Sequence, residues 1–209
     1  MSKSNARRDF IKGLKDGIPI GLGYLSVSFS FGIMAVSSGL SVLAAVIISM
    51  TNLTSAGQVA GIAVIAGGGG YIEMALAQLV INIRYALMSL SLSQKLDKGF
   101  TALSRLGVSF GITDEIFAVA SGKTHEVSKH YMSGLISLPF ICWSMGTFLG
   151  GAAGEILPEH LKAALGIAIY GMFIAIFVPA ARKALGVLCV VAAAAAACLL
   201  YTSDAADDK

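Results

Sequence analysis

Seven runs of apolar residues, at 17–38, 41–66, 71–92, 102–121, 131–153, 160–180 and 184–200, follow one another with almost nothing between them. Each is near the ~20 residues a helix needs to cross the ~30 Å hydrocarbon core of a bilayer. The separators are short: Ser37–Ser38–Gly39, the tetraglycine Gly67–Gly70 and the polar stretch 94–99. Charged residues make up 13% of the chain and hydrophobic ones 56%, against about 25% charged in soluble domains. Inside lipid every backbone N–H and C=O must be bonded within the protein, so runs of this length can span only as helices. The sequence predicts an all-α, polytopic helical membrane protein with five to seven hydrophobic segments. Its membrane domain covers 17–200, after a basic stretch at 1–16 and before an acidic tail at 201–209.

Two runs do not read as ordinary spans. The second has Thr51–Asn52–Leu53–Thr54–Ser55–Ala56–Gly57–Gln58 at its centre, and the fourth contains Gly111–Ile112–Thr113–Asp114–Glu115. Irregular backbone at membrane depth needs protein or a wet cavity around it. The cations agree. If all seven runs cross once from a cytoplasmic N-terminus, Lys95, Lys98 and Arg105 fall outside, against the positive-inside rule. If runs two and four are re-entrant, those three join Lys3, Arg7, Arg8, Lys12, Lys15, Lys123, Lys129, Arg182 and Lys183 on the cytoplasmic side, and only Lys162 and Lys209 remain outside, with Glu155 and Glu159. Five full crossings with two broken or re-entrant runs is the preferred arrangement; seven crossings is the alternative.

Smaller features carry lesser expectations. Ser30–Phe31–Gly32–Ile33 echoes Ser109–Phe110–Gly111–Ile112, and the match is read as coincidence in a chain rich in Ser, Gly and Ile. No small-residue cleavage site follows the basic stretch, so the first run is expected to be retained. The six alanines 192–197 and the abrupt acidic end make 201–209 look like a non-native addition to a shortened last run. The net charge of +3 gives no basic surface for nucleic acid. Cys142, Cys189 and Cys198 lie in apolar runs, and neither they nor His125, His130 and His160 have metal-ligand spacing, so no metal or cofactor is expected. Pro19, Pro139 and Pro179 are expected to kink or end their runs, and Trp143 and the tyrosines to anchor at interfaces.

Three constellations can carry chemistry. Arg84 sits inside Leu79–Met88, where an arginine costs several kcal/mol, from roughly 2.5 to more than 10. With Asn82 beside it, its planar fork suits a carboxylate, either a substrate's or an internal one from Asp114, Glu115 or Glu73. Asn52, Thr54, Ser55, Gly57 and Gln58 cluster amides and hydroxyls about a glycine, as an unwound helix holding a substrate's polar groups would; helix packing by small residues is the alternative. Asp114 and Glu115 are adjacent acids in an apolar run. Burial disfavours the charged form, so one can take up and release a proton; a solvated helix end is the alternative. No nucleophile, metal cluster or phosphate loop appears, and no enzymatic activity is expected.

In this order, the motifs resemble the AzlC family, the large subunits of branched-chain amino acid exporters. The resemblance rests on Asp16–Gly17–Ile18–Pro19, Phe31–Gly32, Ala56–Gly57–Gln58, Asn82–Ile83–Arg84–Tyr85, Ser89 and Thr113–Asp114–Glu115, and spans about residues 10–195. It implies a multi-pass protein of the bacterial inner membrane. It also implies a small hydrophobic AzlD-like partner and export of branched-chain amino acids driven by the proton gradient. Asn52, Thr54, Ser55, Gly57, Gln58, Asn82 and Arg84 would bind substrate, and Asp114 or Glu115 would carry the proton.

Overall fold

A computed structural model describes residues 3–153 and, beyond them, Val178, Arg182, Gly186, Leu188–Val190, Ala192, Ala193, Ala195 and Ala196. Met1–Ala168 form one compact unit and Ile169–Lys209 a second. The described residues of the second are helical. The expected sixth run, most of the seventh and the acidic tail lie outside the described residues.

Among the described residues of the first unit the regular elements are all helices, apart from an isolated bridge between Leu96 and Val127. α1 (Lys3–Asp16) passes into α2 (Ile18–Ser37) with hardly a break. Gly17 keeps helical dihedrals (φ −79°, ψ −14°), and the amides of Gly17 and Gly21 donate to the carbonyls of Gly13 and Gly17 at 2.9 Å. Pro19 is tolerated because it falls in the first turn of α2.

α2 and α8 (Lys129–Ala153) run parallel, backbone against backbone. Gly32 faces Thr147 and Gly151, Gly146 faces Leu25 and Ser28, and Gly150 faces Phe29. A Cβ at any of the three would overlap the opposite chain. Gly13 and Gly134 extend the seam to α1. Lipid is as apolar as leucine, so helices associate in it through close packing of small residues. This glycine seam went unread in the sequence, although Gly13, Gly17 and Gly21 recur every four residues.

The second run is broken, as its polar centre predicts. α3 (Val42–Thr51) ends at Asn52 (φ −138°, ψ 91°), and α4 (Ser55–Ala66) begins after Thr54 (φ −142°, ψ 118°). Val42 lies against Gly151 at the C-terminal end of α8, and Ser49 Oγ bonds Thr147 Oγ1 at 2.6 Å deeper in. α4 then runs antiparallel to α5 (Tyr71–Ser93), with Gly57 beside Gln78 and Asn82 and Gly61 beside Met74. The chain goes in, turns at 52–54 and comes out at the end where α5 begins.

The fourth run does the same from the opposite end. α6 (Ala102–Phe110) breaks at Gly111–Ile112–Thr113 and continues as α7 (Asp114–Ser121). Before α6 and after α7 the chain is tied to itself. Val127 donates its N–H to the Lys95 carbonyl at 2.9 Å, Asp97 its own to the Val127 carbonyl at 3.1 Å, and the Lys95 ammonium bonds the Ser121 carbonyl. This hairpin therefore enters and leaves at the C-terminal end of α5. α1 lies at that end too, joined to it by Lys123–Asp16 and Ser128–Asp9, both at 2.7 Å. α2 with α3–α4, and α5 with α6–α7, are two copies of one pattern entered from opposite ends, the arrangement of an inverted repeat.

The Ser-Phe-Gly-Ile echo does not mark this repeat, because one copy lies within α2 and the other straddles the end of α6. The equivalent positions are Leu53–Thr54–Ser55 and Ile112–Thr113–Asp114. Among the described residues three helices are long and apolar enough to cross a membrane: Ile18–Ser37, Tyr71–Ser93 and Lys129–Ala153.

One expectation needs correction and another is narrowed. Tyr24, Tyr131 and Trp143 are not interfacial anchors but core residues, each 5% exposed or less. Tyr24 and Trp143 meet edge to face at 5.0 Å. Of the expected kink or end at Pro139, the end does not occur, since α8 continues through it.

Candidate functional site

Both breaks leave a helix N-terminus at depth, preceded by a threonine that is 4% exposed in each case. Their surroundings differ.

At the first break the groups are neutral. Thr54 Oγ1 accepts from Gly57 N–H at 3.4 Å and caps α4. Gln58, 1% exposed, donates from Nε2 to the Asn52 carbonyl at 2.6 Å and to Ser49 Oγ at 3.3 Å. Gln78 on α5 donates from Nε2 to the Gly57 carbonyl at 2.7 Å. Its Oε1 accepts from Asn52 Nδ2 at 3.2 Å and Asn82 Nδ2 at 3.0 Å. A cavity of about 190 Å³ opens here. Asn52, Gln58 and Gln78 give it a polar side, and Ile48, Ile62 and Met74 an apolar one. It is smaller than the ~300–1,000 Å³ of drug-sized pockets, so it suits a small solute. Ser55 opens α4 and is half-buried. α4 has no acid in its first turn, so the partial positive charge of its N-terminus is not met by a carboxylate of its own.

At the second break the groups are charged and mutually paired. Asp114 and Glu115 form the first turn of α7 and supply the anions its N-terminus favours. Asp114 Oδ2 lies 2.9 Å from Arg84 Nη2, which also donates to the Tyr85 hydroxyl at 3.0 Å. The Arg84 guanidinium stacks 4.9 Å from the Tyr85 ring. The Tyr24 hydroxyl bonds Thr113 Oγ1 at 2.6 Å and donates to Glu115 Oε2 at 2.5 Å. The two acids thus have separate partners. A larger cavity, about 490 Å³, lies between the C-terminal half of α5 and α6; apart from Arg105 and three serines its lining is apolar.

Asn82 and Arg84 stand two residues apart on α5, so one helix ties both breaks together. Among the described residues Arg84 is ion-paired to Asp114, the pairing left open between three acids by the sequence. Glu73 sits at the start of α5, beside Gly69. Gln78 and Tyr24 were missed. Gln78 was within reach, four residues before Asn82 on the same helix face. Nothing near Tyr24 in sequence marks it, since its partners are 89 and 91 residues away.

Long apolar helices interrupted by two hairpins, with polar tips held along one helix, define a helical membrane protein with a small polar site at depth. The chain belongs to the AzlC family: the AzlC protein family matches residues 19–157. It is 33% identical over 195 residues to the Inner membrane protein YgaZ of Escherichia coli K12, covering 88% of this chain and 78% of that protein. It is 30% identical over 172 residues to an uncharacterized membrane protein of Archaeoglobus fulgidus, covering 81% and 75%. An uncharacterized membrane protein of Helicobacter pylori is 25% identical over 154 residues, covering 70% and 67%. No solved structure matches.

Proposed function

We propose that this chain is the large subunit of a secondary transporter that exports branched-chain amino acids, coupled to protons, and not an enzyme. In this reading it lies in the bacterial inner membrane with α1 cytoplasmic and works with a small hydrophobic AzlD-like subunit. The observation that carries it is the cavity at the first break. Amides crowd one side and branched or unbranched aliphatic side chains the other, which is the polarity of leucine, isoleucine or valine. The positive end of α4, capped by Thr54 but met by no carboxylate of its own, receives the substrate carboxylate. Arg84 with Asp114 and Glu115 forms the charged counterpart at the second break, where protonation of an acid can be exchanged against substrate.

The test is radiolabelled leucine flux in proteoliposomes, with and without a pH gradient and with and without the small subunit. Saturable flux that responds to the gradient supports the proposal. Its absence under all four conditions refutes it. The Arg84–Asp114 pair favours a second reading, a non-transporting assembly subunit. That reading requires joint replacement of Arg84 and Asp114 by apolar residues to be tolerated in the assembled complex.

A further inference from the structure

The amide network at the first break has a fixed polarity. A backbone carbonyl can only accept. The Asn52 carbonyl therefore requires the nitrogen of Gln58 to face it, and the Gly57 carbonyl requires the nitrogen of Gln78. Gln78 then has its oxygen turned to Asn52 and Asn82, so both of these must present nitrogen. No side-chain flip is free, because each is dictated by the one before it and the series starts at two carbonyls. Two oxygens are left over at the ends. Gln58 Oε1 and Asn82 Oδ1 are buried without a hydrogen-bond partner. Both are acceptors. Leaving such groups unmet in a dry interior is costly.

We infer that the first break is a site for a small monovalent cation: a primary ammonium, or Na⁺. Gln58 Oε1, on a residue that lines the cavity, is its ligand; Asn82 Oδ1 is the unmet acceptor at the other end of the same amide network. The reasons are chemical. What is missing is a donor or a positive charge. α3 and α4 contain no acid, so neutral oxygens suit a single positive charge rather than a divalent ion, which calls for carboxylates. The C-terminal carbonyl end of α3 points its partial negative charge into the same break. A substrate ammonium has three protons to share, and Gln58 lines the cavity. The inference deepens the transporter reading and rests on it for the ammonium. It sets the substrate's orientation, ammonium on the Gln58 side and carboxylate toward the N-terminus of α4.

The experiment uses the full chain in nanodiscs. Bound radiolabelled leucine is competed with isoamylamine, which keeps the ammonium, and with 4-methylpentanoate, which keeps the carboxylate. Thermal stability is measured in NaCl and in choline chloride. Competition by the amine that Gln58→Leu weakens about tenfold or more supports a substrate ammonium. A Na⁺-specific stabilisation lost in Gln58→Leu, without amine competition, supports the ion. Should Gln58→Leu fail to fold, Asn82→Asp replaces it, and tighter amine or Na⁺ binding supports the site. Competition by 4-methylpentanoate alone, with no response to the amine or to Na⁺, overturns the inference and leaves leucine binding intact. Amine or Na⁺ binding without any leucine binding keeps the site and removes the proposed substrate.

Discussion

The two breaks are built on one plan and used differently. Each interrupts a short helical hairpin, each carries a buried threonine before the second half-helix, and each is held to α5. The first has neutral amides, a cavity and two unmet acceptors. The second has two bonded pairs, Arg84 with Asp114 and Tyr24 with Glu115, and one unmet donor, Arg84 Nε. The difference comes from the first turns that follow the threonines. Ser55 and Ala56 leave the N-terminus of α4 without an anion; Asp114 and Glu115 bring two to that of α7. One backbone plan thus carries a neutral end and a charged end.

The largest expected effect cuts the tie between the charged break and α5. Arg84→Ala should lower the initial rate of leucine export by about 100-fold, near 2.7 kcal/mol of barrier, while the protein still inserts. Proteoliposome flux, with membrane content measured by immunoblot, checks this. Export at the parental rate would reduce the pair to packing and dissolve the contrast between the breaks.

Glycine substitutions sharpen the contrast next. A Cβ on Gly57 would lie 2.6 Å from the Thr54 methyl and 2.7 Å from Gln78 Oε1. Gly57→Ala should therefore displace Gln78, open the amide chain and weaken leucine binding by about tenfold, the worth of one buried hydrogen bond. A Cβ on Gly111 meets the side chain of Ile136 instead. Gly111→Ala should cost about 1–3 kcal/mol of stability through overpacking with affinity unchanged. Matched titrations of the two variants decide it, and equal losses of affinity would mean that both breaks bind.

The interruptions were legible in the sequence because Asn52–Gln58 and Gly111–Glu115 place amides, acids and glycine where lipid tolerates none of them exposed. Arg84 was legible for the same reason. Its partner was not, because Asp114 stands thirty positions away and Glu73 and Glu115 fitted equally well on paper. The repeat was hidden, since it is conserved in direction and backbone shape while Thr54 and Thr113 are almost its sole shared side chains. The glycine seam escaped because glycine adds nothing to a hydrophobic period; its meaning lies in the opposing backbone.

Tyr24→Phe removes one hydroxyl from the charged break and leaves the ring against Trp143 in place. Thr113 and Glu115 then lose a partner in the core. The expected cost is about 1–3 kcal/mol, read as a thermal shift of roughly 2–4 °C per kcal/mol for a chain of this size. A shift within error would show that Glu115 finds another donor.

The smallest effect belongs to the second ion pair, at the α1 end. Lys123 Nζ and Asp16 Oδ2 are 2.7 Å apart, outside the spanning helices and close to water. The hydrogen bond from Lys123 holds the Asp16 carboxyl below its ordinary 3.8, and the same bond holds Lys123 above its ordinary 10.5. A depressed acid stabilises the fold above its unfolded value and stops doing so as pH falls through the folded one. A raised base stabilises below its unfolded value and stops as pH rises through the folded one. The pair should therefore act between about pH 4 and pH 10. Being wet, it should contribute only about 0–1 kcal/mol. Asp16→Asn should lower the melting temperature slightly at pH 7, and the gap from the parent should close below pH 3.8. A loss as large as that of Tyr24→Phe would mean that the Tyr131 hydroxyl, which donates to Asp16 Oδ2 at 2.8 Å, carries this contact rather than the exposed charges.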